Sequence, residues 1–243
     1  MSTAFVFHLP EWYFCIHYAE HESDPNMRKQ TIKNMRRKQL TEAAFEILKT
    51  HGIAGTTIDR IAKEAGVSKG VVQHYFPGKE ALFEAVLRET NAKARRCVTA
   101  LLAHSDTPSE RLYAILYGYF APPFFQHEFC CAWVSLCAEV PQNAQYLRVQ
   151  NAIHSRTHSN LMSALRHLVE PALAEQIAFN LTTLIDGIWM RTALQAKPIS
   201  PAEAVSHMEF ALNRLFRDTA VDSANLQAAR EKIAQVSGIL FKI

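Results

Sequence analysis

At 243 residues and 49% hydrophobic content, the chain is long enough for one large or two modest domains with a sizeable core, which excludes a disordered polymer. Its 8 glycines and 10 prolines are too few for a turn-rich β-fold, so long helices are expected. The net charge of +3 hides an asymmetry: residues 28–96 carry 15 Lys/Arg against 7 Asp/Glu, a net of +8 that suits an anionic partner, nucleic acid foremost.

The first 26 residues (MSTAFVFHLPEWYFCIHYAEHESDPN) lack the basic start of a signal peptide, and Pro10 and Glu11 interrupt their apolar stretch. They are either a loosely attached extension or sequence upstream of a native start at Met27 or Met35, and the second reading is favoured. Residues 1–32 are therefore set apart as an N-terminal extension. The first convincing helix spans 33–50, with Leu40, Ala43, Ala44, Ile47 and Leu48 at spacings of three and four, and Gly52 stops it. A short helix follows, capped by Thr56 or Thr57 and ended by Gly66, with Ile58, Ile61, Ala62 and Ala65 as its apolar stripe. Ser68 caps a second short helix over 69–75, which Phe76-Pro77-Gly78 breaks. A long helix begins near Lys79 and reaches Ala103. Further helices are predicted over 109–120, 128–140, 142–169, 174–196 and 201–217, with prolines marking the breaks. A last amphipathic segment over 224–241 places Leu226, Ala229, Ile233 and Val236 on one face. The fold class is all-α. Residues 33–80 are read as a helix-turn-helix DNA-binding domain, 81–217 as a ligand-binding and dimerisation domain, and 218–243 as a C-terminal extension. No apolar run approaches the ~20 residues of a membrane span.

Two short helices joined through a glycine turn and preceded by a supporting helix have the arrangement of a helix-turn-helix. The second must enter a major groove ~12 Å wide, so its groove-facing side chains are small or polar, as Lys69, Gly70, Val72, Gln73 and His74 are. Thr57 and Ser68 stand at helix starts, where hydroxyls and free N–H groups suit phosphate oxygens, and Lys79 opens the next helix within reach of another phosphate. Geometry of this kind is shared with small bundles that never touch DNA. The residues are more specific. The run TTIDRIAKEAGVSKGVVQHYFPGKEALFEAVL resembles the N-terminal domain of TetR-family repressors, matching at Thr57, Ile61-Ala62, Ala65-Gly66-Val67-Ser68, Gly70, Tyr75-Phe76, Lys79 and Leu82. The resemblance implies a homodimeric regulator that binds double-stranded DNA at a near-palindromic site in the cytoplasm. It implies DNA contacts by Thr57, Ser68, Lys69, Gln73, His74, Tyr75 and Lys79, and core roles for Ile61, Ala62, Val67 and Phe76. Its dimer interface would be built from the helices over 174–196 and 201–217, with Leu181, Leu184, Ile188, Phe210, Leu212 and Leu215 filling it.

Within that family, the stretch from Leu184 to Pro198 resembles the choline-responsive repressors of glycine betaine synthesis genes, as do Arg36 to Leu40, Gly70 to Phe76 and Ala132-Trp133. The likeness implies release from DNA by choline or a related small cation. A quaternary ammonium has no hydrogen to donate and is recognised by aromatic faces with a carboxylate nearby. Asp186, Trp189 and Ala193 share one helix face, and Trp133, Tyr119 and Phe120 lie on helices able to converge on it, with Glu139 as a second carboxylate. Where the choline-responsive repressors carry further aromatics after Trp133, this chain has Leu136 and Cys137, which leaves a more apolar effector, such as a drug or lipid, as the alternative. Asp186 has a second reading, pairing with Arg191 at a dimer interface.

Other chemistry finds no purchase. The five cysteines form no CxxC pair, and adjacent Cys130 and Cys131 suit neither a disulfide nor a tetrahedral metal site, so reduced thiols are expected. His154 and His158 are one turn apart without an evident third ligand, and are read as a polar helix face. There is no phosphate-binding glycine loop and no nucleophile–base set with local context, so neither a cofactor nor catalysis is expected.

Overall fold

The computed structural model of the protein describes residues 25–241. The expectations for the start of the chain, residues 1–24, lie outside the described residues. Within them there are ten α-helices and no strand. Helix α1 spans Pro25–Gly55 and starts earlier than its apolar stripe. Its first turns are exposed, Ile32 at 62% and Met35 at 67%, and bury no apolar stripe that would have marked them in sequence. Runs of Arg, Lys, Gln and Met are good helix formers without packing. Gly52 takes φ 63°, the left-handed conformation, and kinks the helix where a stop was expected.

Helices α2 (Ile58–Glu64) and α3 (Lys69–Tyr75) follow at the predicted positions. Thr57, not Thr56, is the cap of α2 and accepts from the Arg60 N–H at 3.3 Å. Thr56 is buried and donates to Gly52 O at 2.6 Å. Gly66 supplies the left-handed residue of the turn, at φ 65°. Ser68 caps α3 by accepting from Val71 N–H.

Helix α4 (Lys79–Leu102) is the long connection from this head into the body. The body adds α5 (Pro108–Tyr119), α6 (His127–Glu139), a 3₁₀ turn at Val140–Gln142, α7 (Ala144–Leu165), α8 (Pro171–Leu194), α9 (Pro201–Leu215) and α10 (Ser223–Phe241). Pro171, which read as a break, opens a helix, as Pro108 and Pro201 do; all three occupy first turns, where their missing N–H costs nothing. Thr107, Glu170 and Ser200 cap those starts, Ser200 in a reciprocal capping box with Glu203.

Helix α4 packs on α1, α5, α6 and α7, so it touches both the head and the body. A single apolar core runs from Leu40 in α1 through Leu101, Leu112 and Tyr113 to Ile233 in α10. At the α4–α5 crossing, Gly118 lies against Val98 so closely that no side chain fits between. The last segment is a packed helix, not a frayed tail. Leu226, Ala229 and Ile233 of α10 are buried against α5 and α4. Lys232 Nζ bridges Asp106 and Glu110 at 2.7 Å each, and Arg230 meets Glu209 at 2.7 Å.

Candidate functional site

The head presents one polar face of α3. Lys69, Gly70, Gln73 and His74 are exposed, while Val72 and Phe76 are fully buried behind them. Val72 therefore belongs to the core, not to the groove-facing set: at 3.6 residues per turn, 69/73 and 70/74 share a face from which 72 and 76 point away. Thr57, Ser68 and Lys79 are exposed at helix starts, and Tyr75 is half-buried, edge-on to His74 with ring centroids 5.1 Å apart. Lys69 Nζ is 3.1 Å from Asp59, an exposed pair in water. Such pairs contribute at most about 1 kcal/mol, so a phosphate can displace the carboxylate.

Arg37 is a residue sequence reasoning missed. Its guanidinium donates to the Tyr75 carbonyl at 2.6 Å and lies 4.2 Å over the Phe76 ring. It thus holds the negative C-terminal end of α3 onto α1. Gln39 does the same for α2, donating to Ala65 O at 2.9 Å. The basic run Arg36-Arg37-Lys38 was visible in sequence, but which of its members turns inward was not.

In the body, four of the six expected effector residues share one cavity: Tyr119 of α5, Trp133 of α6, and Asp186 and Trp189 of α8. Trp133 and Trp189 stand 5.8 Å apart at 69°, and Phe124 packs 4.6 Å from Trp189. Thr90, Asn91 and Ala94 of α4 and Gln150, His154 and Thr157 of α7 complete the wall. The space enclosed is about 40 Å³. Tyr119 donates its hydroxyl proton to Thr157 Oγ1 at 2.5 Å, while Thr157 donates onward to Ile153 O.

Two expectations are corrected. Phe120 is buried in the core against Phe125, ring centroids 5.1 Å apart, and does not line the cavity. As the residue after Tyr119 it points a third of a turn away. Glu139 ends α6 beside Tyr146 and is also outside the cavity. Within the chain Asp186 is not paired with Arg191. Its partner is His154, Nε2 to Oδ2 at 3.4 Å, while His158 pairs with Glu175 at 2.7 Å, so the two histidines serve separate carboxylates. The same His154 Nε2 lies 2.9 Å from the Gln150 amide nitrogen. One nitrogen cannot accept from the amide and donate to the carboxylate together. Protonated His154 donates to Asp186, and that bond holds its pKa above the ordinary 6.5. Burial, with Asp186 nearby, pushes the Cys137 thiol up to about 12.

An aromatic chain leads from the cavity toward the head. Trp189 packs on Phe124, Phe124 stands 6.1 Å from Phe129 of α6, and Phe129 is 4.5 Å from Phe45 of α1. The Lys93 ammonium of α4 lies over both Phe129 and Phe45, at 4.9 and 5.4 Å. Elsewhere α8 and α9 form an apolar groove of about 650 Å³, with Phe210 on its wall 70% exposed. Leu184, Phe210 and Leu215 line it, whereas Leu212 is fully buried within the chain and faces the core.

Two family models match the chain, that of the bacterial regulatory proteins of the tetR family over residues 40–86, and that of the BetI-type transcriptional repressor C-terminal domain over residues 108–217. The HTH-type transcriptional regulator BetI of Brucella canis is 33% identical over 183 residues, 75% of this chain and 92% of its own length. The chain belongs to the TetR family of bacterial transcriptional regulators. BetI of Escherichia coli K12 is likewise 33% identical, over 74% of this chain and 93% of its own. Solved structures agree on the fold of this TetR-family regulator. A transcriptional regulator from a Rhodococcus species superposes with a TM-score of 0.69 at 19% identity, covering 76% of this chain and 98% of its own. A Saccharomonospora viridis regulator in complex with choline superposes with a TM-score of 0.66 at 22% identity, covering 78% of this chain and 99% of its own. The match to the BetI-type model ends at residue 217, so α10 lies beyond it.

Proposed function

We propose that this regulator is a repressor released from its operator by choline or a related small cation, and that it controls glycine betaine synthesis genes. One observation carries the reading: Trp133, Trp189, Tyr119 and Asp186 come from three helices to a single cavity whose remaining wall includes α4. Aromatic faces and one carboxylate are what a quaternary ammonium group, with no N–H to donate, requires. The choline complex of the S. viridis relative and the BetI-type C-terminal match support the same chemistry. The carboxylate and the cramped space disfavour a large apolar drug or lipid.

In this reading residues 33–80 form the DNA-binding head and 81–217 the effector and dimerisation body. Thr57, Ser68 and Lys79 bind phosphates, and Lys69, Gln73, His74 and Tyr75 face the groove. Two copies pair through the open α8–α9 face, since an exposed apolar patch of this kind marks an interface. Two-fold symmetry then sets two α3 helices about one DNA turn apart. Choline enters the cavity, spreads its walls and moves α4, which carries the head. A ligand shifts the equilibrium only as far as it prefers one state.

Calorimetry with choline and gel-shift titration of the promoter upstream of its own gene test the proposal together. Choline is expected to bind and to weaken DNA binding. No heat at millimolar choline rejects the effector, and DNA binding that ignores salt rejects the phosphate-contact face.

A further inference from the structure

Two buried side-chain atoms among the described residues have no hydrogen-bond partner in the protein: Gln150 Oε1 and Trp189 Nε1. Both side chains line the cavity just described, and they are 8% and 5% exposed. Buried polar atoms left unmet are few in native proteins, and each bears the full desolvation of its group. Their coincidence in one cavity points to a ligand group that meets both.

The two atoms have opposite needs. The indole N–H of Trp189 only donates, and the amide oxygen of Gln150 only accepts. When His154 is neutral with its proton on Nδ1, Nε2 accepts from the Gln150 amide nitrogen at 2.9 Å, which leaves the amide oxygen as the unpaired end. Trp133, Phe124 and the face of Trp189 recognise methylated nitrogen but cannot tell one trimethylammonium compound from another. We infer that Trp189 and Gln150 are the specificity pair of the site, reading a hydroxyl group on the cationic ligand. The hydroxyl oxygen accepts from Trp189 Nε1–H, and its proton is donated to Gln150 Oε1. An alcohol does both. A carboxylate or aldehyde answers Trp189 but sets a lone pair against Gln150 Oε1, and an alkyl group answers neither. Sites built to bond a hydroxyl reject analogues lacking it strongly, because the protein groups are then left unpaired.

This inference rests on the cationic-effector reading, and the experiment separates the two. The full-length protein is titrated by calorimetry with choline, n-propyltrimethylammonium (a methyl in place of the hydroxyl) and glycine betaine (a carboxylate in place of the hydroxymethyl group). Choline is expected to bind at least about 10-fold tighter than either analogue. In Gln150→Leu the advantage of choline over n-propyltrimethylammonium should fall below about 3-fold, with the alkyl compound binding as well as before or better. Equal binding of choline and n-propyltrimethylammonium to the unaltered protein overturns the hydroxyl reading and leaves the cation reading intact; it is also the result expected if a water satisfies the pair equally well. Tighter binding of glycine betaine than of choline overturns it too. Binding of none of the three removes the cation reading and this inference with it. Should Gln150→Leu fail to fold, the ligand series on the unaltered protein decides alone.

Discussion

Gly118→Ala tests whether the α4–α5 crossing is as tight as described. A Cβ at this position would stand 2.6 Å from Val98 Cα, 2.7 Å from Val98 Cγ2 and 2.9 Å from Val98 N. Carbon atoms pack at about 3.5–4.0 Å, so the overlap is roughly 1 Å. Two of the three contacts are backbone, and no rotamer of Val98 relieves them. The helices must part, loosening Val98, Leu101, Leu112 and Ile115, all buried at this seam. Overpacking of this kind costs about 1–3 kcal/mol, and a rigid backbone clash belongs at the upper end. The better helix propensity of alanine returns up to about 1 kcal/mol. A net loss of about 2 kcal/mol corresponds to roughly 4–8 °C in Tm for a chain of this size. Thermal unfolding at fixed protein concentration measures it, with Gly238→Ala in α10 as the control. There a Cβ meets nothing within 4 Å, so a small gain is expected. A Gly118→Ala variant that melts at or above the unaltered protein would refute the packing argument.

Lys79→Ala should weaken binding to all DNA sequences and lower the salt slope by about 1, whereas Gln73→Ala should relax base preference. Identical behaviour of the two on matched and mismatched operators counts against the division of roles. Phe210→Asp places a charge on the exposed apolar face of α9 and should yield monomers in sedimentation; an unchanged dimer would move the interface elsewhere. Choline affinity should rise with pH through the titration of His154, which lies above 6.5 because the bond to Asp186 favours the protonated ring. Below that point the imidazolium occupies the carboxylate and must be displaced; above it Asp186 is free for the ligand. Tyr119 and Cys137 are pushed upward and stay neutral in this range. His154→Gln should flatten the profile, and affinity that falls with rising pH would refute the pairing. The sign for folding is opposite, the His154–Asp186 contribution being present at low pH and lost as pH rises through the raised value. Phe129→Leu, which breaks the aromatic chain between Trp189 and Phe45, should leave choline binding to the free protein within about 3-fold while shrinking its effect on DNA affinity, read by gel shift with and without ligand.

Sequence carried the head almost intact because its determinants are local. Thr57, Ser68 and Gly66 act within a turn of their own positions, as caps and a left-handed turn residue. What it missed depends on three dimensions. Val72 has the small side chain a groove-facing residue needs, yet helical phase turns it inward. Phe120 and Glu139 are near cavity residues in sequence but on other faces. Gln150 carries no signal at all, since a lone glutamine in an amphipathic helix is ordinarily solvated; only the packing of α7 among its neighbours makes it buried. Leu212 was indistinguishable from Phe210 as an interface residue, because an apolar residue on α9 can face either its own core or a second copy. The α10 stripe of Leu226, Ala229 and Ile233 was legible as amphipathic, but its partners α4 and α5 were not.

A preformed site that matched its ligand in both states would transmit nothing, because equal affinity shifts no equilibrium. The cavity here is small, about 40 Å³. In the proposed mechanism a trimethylammonium group enters by separating the helices around it. Two of the routes by which that strain leaves the cavity run to the head. One is α4, continuous from Thr90 and Asn91 at the cavity to Lys79 beside the DNA-reading helices. The other is the packed series from Trp189 through Phe124 and Phe129 to Phe45 of α1. Arg37 of that same α1 holds the C-terminal end of α3 through Tyr75 O. Displacement of α1 is thus passed to the recognition helix by a bonded contact, and displacement of α4 reaches it through the chain itself. Closely packed interiors shift between discrete arrangements instead of deforming smoothly, so an ångström of opening at the cavity can set the two recognition helices of a dimer out of register with successive major grooves.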